Sequence, residues 1–253
     1  MSVISMHFSP TGGTESVLNI LAGELGAKVC IDLTQNERDY GIYRFEKCDL
    51  CLIGVPSYGG RVPKTAADRL SRMKADGALA VIVAVYGNRA YDDTLTELKN
   101  IAEGCGFRVI AAIGAVAEHS VARKFGRSRP DADDENDLRK FAGNIKEKIS
   151  KYQNAGELKL PGQEPYRAYT NLPLLPKANG NCNKCGLCAA KCPVGAISKS
   201  NPVDTDNGVC IACMRCVSVC PKKARSIGKI MELGAGLMLQ KSCGVRKENE
   251  IFI

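Results

Sequence analysis

Apolar residues come in short, nearly unbroken runs over the first 155 positions: 3–8, 50–55, 79–85 and 109–115, with a weaker run at 28–33. Runs of this length without polar alternation suit strands buried on both faces of a parallel sheet. Between them, 14–25, 64–73 and 91–104 have the spacing of amphipathic helices, and 133–152 follows as a last helix. Acidic residues open that last stretch and Lys146, Lys148 and Lys151 close it, the distribution a helix dipole favours. Segment 34–47 has no clear period and leaves room for a short helix. Five strands alternating with helices predict a doubly wound α/β fold with a five-stranded parallel sheet. Ligands of such sheets lie beyond the carboxyl ends of the strands, so the loops after each strand carry the functional question.

Past residue 155 the period stops. Pro161, Pro165, Pro173 and Pro176, with several Gly and Asn residues, mark a linker expected to lie ordered across the domain surface. The division expected is a domain over 1–155, a linker over 156–177 and a small α+β module with a tail over 178–253. Within that module Cys-Asn-Lys-Cys-Gly-Leu-Cys-Ala-Ala-Lys-Cys-Pro at 182–193 recurs as Cys-Ile-Ala-Cys-Met-Arg-Cys-Val-Ser-Val-Cys-Pro at 210–221. The tail beyond residue 231 holds an apolar stretch, 234–239, which should pack back onto the rest of the chain.

Charge and cysteine content sharpen this division. The chain has 253 residues and a net charge of +8. From Lys177 onward, 12 Lys and Arg face 5 Asp and Glu, so the excess lies almost wholly in the module. Such a basic face suits an acidic partner. With no Trp and no nucleic-acid motif, nucleic acid is the weaker reading. The start of the chain does not read as a secretory signal, and no run approaches the roughly 18 apolar residues of a membrane span. A cytoplasmic protein that does not engage membranes is therefore expected. Thirteen cysteines without export, eight of them between Cys182 and Cys220, point to metal or clusters rather than disulfides.

The two runs have the spacing C-x₂-C-x₂-C-x₃-C-P. In that pattern three close cysteines wrap one iron–sulfur cube and the fourth, before Pro, reaches the other. Cys182, Cys185, Cys188 and Cys220 then hold one [4Fe–4S] cluster, and Cys192, Cys210, Cys213 and Cys216 the second. Structural zinc is the plainer alternative, since C-x₂-C pairs also make thiolate sites. Zinc does not require a third cysteine two residues on and a fourth before Pro, in duplicate. Over about 179–229 the module resembles the two-cluster bacterial ferredoxins, with all eight ligand positions filled. That resemblance implies a low-potential one-electron carrier, although free ferredoxins of this kind are commonly acidic and this module is basic.

After the first strand, Ser9-Pro10-Thr11-Gly12-Gly13-Thr14 precedes a helix, a combination of small residues, hydroxyls and a helix N-terminus that makes a phosphate cradle. The Gly-Lys-Ser/Thr of nucleoside triphosphate loops is absent, as is G-x-G-x-x-G. Asp32, near the end of strand two, reads as a capping residue rather than a ribose ligand. The loop resembles the flavodoxin signature Ser/Thr-x-Thr-Gly-x-Thr, matched at Ser9, Thr11, Gly12 and Thr14, which implies FMN. Two further loops follow strands three and four, Pro56-Ser57-Tyr58-Gly59-Gly60-Arg61 and Tyr86-Gly87-Asn88-Arg89-Ala90-Tyr91-Asp92. In flavodoxins these positions flank the isoalloxazine ring. The resemblance makes Tyr58 and Tyr91 candidates for stacking, Gly59 and Gly60 for a backbone contact to N5, and Asn88 for the pyrimidine edge. Ordinary turn residues are the competing reading. Arg61, Lys64 and Arg89 lie in or beside these loops and are expected to favour an anionic reduced flavin, or else to be solvated.

Nearly the whole chain resembles the EFR1-type flavodoxin–ferredoxin fusion family of anaerobes, through Asn88-Arg89-Ala90-Tyr91-Asp92-Asp93, His119-Ser120 and Arg129-Pro130-Asp131. The expected function is electron transfer between iron–sulfur clusters and FMN, joining one- and two-electron chemistry. An FMN-dependent reductase of a small molecule is the alternative, with His119, Tyr58 and Tyr91 as candidate catalytic residues. A non-redox zinc scaffold is the third reading. Partners would be redox donor and acceptor proteins or a small-molecule acceptor, and a homodimer is compatible with the sequence. His7 reads as a core or edge residue. Cys48 and Cys51 read as structural thiols because their C-x-x-C leads into a strand, and Cys30, Cys105 and Cys243 as small apolar fillers.

Overall fold

The computed structural model describes residues 2–151, 158–169 and 174–253. Its elements in chain order are β1 (Val3–His7), α1 (Gly13–Leu25), β2 (Val29–Asp32), β3 (Arg44–Phe45), β4 (Leu50–Pro56) and α2 (Lys64–Leu70). Then come β5 (Lys74–Ala75), β6 (Leu79–Tyr86), α3 (Thr94–Gly104), β7 (Arg108–Val116) and α4 (Ala132–Ser150). The module adds β8 (Lys177–Ala178), α5 (Leu187–Ala190), α6 (Arg215–Ser218), β9 (Arg225–Ser226), α7 (Lys229–Cys243) and β10 (Glu250–Phe252).

The five expected strands form the parallel body of one sheet, ordered β10-β7-β6-β4-β1-β2. Without β10 this is the flavodoxin-like order, in which the chain starts near one edge and reverses direction at β1. Every residue of β1 is buried, as are Leu50–Val55 of β4 and Ala80–Tyr86 of β6. Along β4, Cys51, Ile53 and Val55 face one core with Met6, Phe8, Ile82 and Leu95. Leu50 and Leu52 face the other, with Val17, Leu18, Val83 and Ile145. Each large aliphatic side chain fully buried in this way contributes about 1.5–3 kcal/mol. Gly54 lets α1 approach, because a Cβ there would lie 2.3 Å from Leu18 Cδ1.

Two local expectations shift, and one gains its explanation. Segment 34–47 holds no helix; β3 instead pairs in parallel with β5 as a separate two-stranded ribbon. Helix α3 starts at Thr94 rather than at residue 91, since Tyr91 and Asp92 belong to the preceding loop and Asp92 has φ 41. Helix α4 is entered through a capping box in which Asp131 and Asp134 each accept the other's N–H, which explains the acidic start seen in the sequence. Its expected end at Tyr152 lies outside the described residues, as do the linker's first two positions and Pro173.

The end of the tail packs back onto the sheet, where β10 pairs antiparallel with β7, with Ile251 opposite Ile113; the apolar stretch 234–239 lies instead in α7, where Leu237 and Met238 are 67% and 84% exposed. The flavodoxin-like sheet therefore has a sixth strand supplied from beyond the module. Among the described residues no helix is long and apolar enough to cross a membrane.

Candidate cofactor sites at the junction of domain and module

The loop after β1 is built as a cradle. Gly12 is left-handed (φ 93), nothing lies within 4 Å of a Cβ placed on it, and α1 begins one residue later. Ser9 is held on both sides: its N–H donates to Thr34 Oγ1 (2.8 Å) and its Oγ accepts from the Glu15 N–H (2.9 Å). Gly13 faces Ala117 closely: a Cβ on it would lie only 3.1 Å from Ala117 Cβ. Thr11 is exposed and Thr14 buried. The other first-turn N–H groups of α1 remain as donors for an anion.

The loop after β4 turns tightly between Tyr58 and Arg61, whose N–H groups donate to each other's carbonyls (3.0 and 3.2 Å). Gly59 and Gly60 both have positive φ, 62 and 85, as a type I′ turn requires. A Cβ on Gly60 would meet the Asp92 carboxylate at 2.3 Å. Ser57 fixes the strand end through its N–H to the Val85 carbonyl (2.8 Å) and a hydrogen bond from Thr94 Oγ1 (2.8 Å). Burial, and then the Cys213 thiol of the module, push the Tyr58 phenol well above its ordinary range.

The loop after β6 has a different task from the one expected. Asn88 Nδ2 donates to the carbonyls of Cys243 (2.6 Å) and Val245 (2.8 Å), and its Oδ1 accepts from the Lys247 N–H (3.0 Å). Tyr91 lies edge-on to Tyr86 at 5.2 Å and donates its hydroxyl to Glu250 (2.5 Å). Both side chains hold the tail. Gly87 is needed for packing, because a Cβ there would lie 2.6 Å from the His119 ring.

The arginines expected to favour a reduced anion are already matched by carboxylates. Arg61 makes a fork to Glu97 (2.8 Å from both Nε and Nη2) and lies over the rings of Tyr166 and Tyr169 in the linker. Arg89 pairs with Asp92. His119 is held as an acceptor: its Nδ1 receives the N–H groups of Val121 (3.2 Å) and Ala122 (3.1 Å). Burial, then the charge of Arg89, lower its pKa. His7 is likewise lowered by burial and lies 3.8 Å from Cys30 Sγ. Cys48 is exposed, while Cys51 lies in the core with its thiol pushed up to about 12 by burial.

In the module the sequence repeat is also a backbone repeat. Positive φ recurs at Lys184 and Ala212, at Gly186 and Met214, and at Gly195 and Lys223. Short helices α5 and α6 occupy equivalent positions, and β8 pairs with β9 to close the module. All thirteen cysteines are free thiols. Cys192, Cys210, Cys213 and Cys216 line one hollow together with Pro193, Ile197 and Ile211. Cys192 comes from the first repeat and the other three from the second, which is the crossed set that the spacing predicts. Burial pushes the Cys213 thiol up to about 12 and the Cys216 thiol up to about 11, with Cys192 and Cys210 adding to both rises. Four thiols lining one hollow are the donor type that a thiolate-held cluster takes, and its binding would displace their protons. Of the other set, Cys188 is buried, Cys185 exposed, and Cys220 Sγ accepts the Ala224 N–H (3.2 Å).

Two arginines outside the expected site residues join the module to the flavodoxin-like domain beside the cradle. Arg69 of α2 is buried and donates to the carbonyls of Leu33 (2.6 Å) and Pro193 (2.5 Å). Arg215 of α6 donates through Nη1 to the carbonyls of Ser9 and Pro10 (3.1 Å each). Lys199 pairs with Glu37 at the rim (2.5 Å). The repeat offers a signal for Arg215, since the equivalent residue of the first repeat is Leu187. Arg69 has no such signal.

Residues 181–225 match the family described as the 4Fe-4S dicluster domain. No curated protein matches the chain. Among solved structures it is similar to the rubredoxin oxygen:oxidoreductase of the anaerobe Desulfovibrio gigas, at 15% identity and a TM-score of 0.43. That match covers 59% of this chain and 36% of the length of that one. A flavodoxin from the domain Archaea (12% identity, TM-score 0.43) is covered over 99% of its length by 59% of this chain. A Streptococcus pneumonia TIGR4 flavodoxin (17%, 0.42) is covered over 99% by 58%. Strand order and cysteine module together define the class: a flavodoxin-like α/β domain carrying a ferredoxin-like 4Fe–4S module, a combination suited to electron transfer.

Proposed function

We propose that the chain is a cytoplasmic carrier of the flavodoxin–ferredoxin fusion type, moving electrons between two [4Fe–4S] clusters and one FMN. The observation that carries this reading is the placement of Arg215 and Arg69. Arg215 is adjacent to Cys216 and bonds the loop after β1; Arg69 of α2 bonds both the Leu33 carbonyl, just after β2, and the Pro193 carbonyl next to Cys192. The set Cys192, Cys210, Cys213 and Cys216 thus borders the cradle, and the set Cys182, Cys185, Cys188 and Cys220 is the outer one. FMN exchanges one or two electrons and each cluster one, which is the chemistry these groups supply when bound.

Ser9, Thr11, Gly12, Gly13 and Thr14 would hold the phosphate, and Ser57, Tyr58, Gly59, Gly60 and Gly87 would border the ring. Tyr58, whose phenol feels the Cys213 thiol, would stand where the ring and the inner set meet and would stay protonated at neutral pH. Cys185 is exposed, and Lys184, Lys222 and Lys223 stand exposed around the outer set. Those charges suit an acidic one-electron protein as donor or acceptor.

The test is anaerobic iron, sulfide and flavin analysis, followed by rapid mixing with a one-electron reductant. The reading requires about eight irons and one FMN per chain, with iron–sulfur bleaching before flavin bleaching. Zinc in place of iron would end it. A saturable small-molecule acceptor would replace the carrier by the reductase.

A further inference from the structure

The loop at 9–14 contains no cation, and the residue that follows it is Glu15, whose carboxylate opposes a phosphate dianion in the cradle. The cation whose hydrogen bonds land on this loop comes from 200 positions away, in the module. Arg215 Nη1 bonds the Ser9 and Pro10 carbonyls, while its Nε is buried without a hydrogen-bond partner. Among the described residues Arg215 forms no ion pair. A buried donor left unpaired is costly, and an oxyanion accepting from the guanidinium beside this loop would offset that cost. Holding a cluster does not require arginine here, because the first repeat makes the same turn and helix with Leu187.

We infer that Arg215 is a ligand-binding residue of the cradle: the cluster module supplies the positive charge that recognises the phosphate monoester of the flavin nucleotide. The inference rests on the FMN reading above and goes beyond it, since it makes the phosphate site a product of two parts of the chain. A consequence is reciprocal coupling: phosphate in the cradle draws the inner cysteine set onto the flavin side, and a seated module tightens the flavin.

The experiment is an anaerobic titration of the full-length, cluster-loaded, flavin-stripped protein with FMN and, separately, with riboflavin, which lacks the phosphate. Arg215→Leu, the residue of the first repeat, and Arg215→Gln are compared with the parent, and iron and sulfide are counted for each. The expected result is a loss of FMN affinity on the order of 10- to 100-fold with riboflavin affinity unchanged, within the usual range of coupling between sites. Arg215→Lys should restore part of it, keeping charge without the planar fork. Equal FMN affinity in the parent and in both uncharged variants overturns the inference and leaves the FMN reading intact. An equal loss for both flavins also overturns it, assigning Arg215 to loop shape alone. A parent that takes up neither flavin ends the FMN reading, and this inference with it. Should Arg215→Leu lose its iron, Arg215→Gln decides by the same ratio of FMN to riboflavin affinity.

Discussion

At the head of its short helix the first half of the cluster module has Leu187, 38% exposed; the second half has Arg215, bonded to the loop after β1. One residue earlier, Gly186 and Met214 share the left-handed conformation, at φ 75 and 61. The Met214 side chain is buried. The halves thus repeat the cysteines and the turns, which serve the clusters, and differ where one half meets the rest of the chain. Local geometry is dictated by metal chemistry and surroundings by docking, and the two demands fall on neighbouring residues.

The sharpest way to break this comparison is to remove one thiolate from each set. Cys213→Ser and Cys185→Ser should each leave about four irons per chain. Only the Cys213 variant should lose rapid flavin reduction, because its cysteine belongs to the inner set. Equal loss in both, followed by stopped-flow absorbance, would show that the two sets stand at the same remove from the flavin.

The next effect concerns the anchor that returns the module's far end to the sheet. Arg129 and Asp134 form a buried ion pair, and Asp134 also accepts from Asn249 Nδ2 (2.8 Å) just before β10. Asn249 in turn accepts the Val116 N–H of β7 (2.9 Å). Asp134→Ala leaves an uncompensated buried charge and should cost about 3–5 kcal/mol in urea unfolding. Arg246→Ala, removing the half-exposed pair with Asp131, should cost no more than about 1 kcal/mol. If the two variants unfold alike, the buried network is not what holds the tail.

Exchanging the turn residues of the two halves tests which demand is stronger. Met214→Gly relieves left-handed strain of roughly 1–2 kcal/mol. It also gives up a buried methionine, about 1.5–3 kcal/mol, so a small net loss of stability is expected. Gly186→Ala gains little burial and should lose stability by roughly 1 kcal/mol through strain alone. A gain in melting temperature for Met214→Gly would mean that Met214 does not serve the docked face.

The smallest effect is one of pH, and it acts on one side of the junction. Both histidines, His7 and His119, lie in the flavodoxin-like domain and have lowered pKa values because of burial. Their unfolded forms bind protons first as pH falls, so the stability tied to neutral imidazole is complete above pH about 6.5. It is lost as pH drops toward the folded values. Chemical denaturation between pH 7 and 5 should show this decline, and His119→Gln should flatten it. An unchanged slope would remove His119 from the account.

The parallel strands were legible because burial on both faces leaves unbroken apolar runs, and α4 because its acidic cap and basic end follow the dipole. Strand β10 was not, since three residues at a sheet edge, Glu250–Phe252, carry too little period to be seen. The cradle and the crossed cysteine sets were readable from spacing, which is local chemistry. Asn88, Arg89 and Tyr91 stand in a loop at a strand end where the sequence places a ligand, yet their partners are Cys243, Val245, Lys247 and Glu250 for two of them and Asp92 for the third. Asp93 beside them accepts the Arg167 N–H of the linker (2.8 Å). A loop that fastens both the linker and the tail looks, in one dimension, like a loop that receives a ligand, because both tasks need exposed polar groups at a strand end.

What the sequence by itself determined is whatever depends on short range: the alternation of strands and helices, the cradle loop ahead of its helix, and the duplicated cysteine spacing of a 4Fe–4S module. Those follow from backbone sterics and ligand spacing within a few residues. Only the tertiary structure decided which cysteine set meets the cradle, that Arg61 is matched by Glu97, and that Arg215 lies on the loop of Ser9 and Pro10. Each of these is a pairing across 36 to more than 200 positions, where charge and hydrogen-bond capacity are set by proximity after folding and leave no period along the chain.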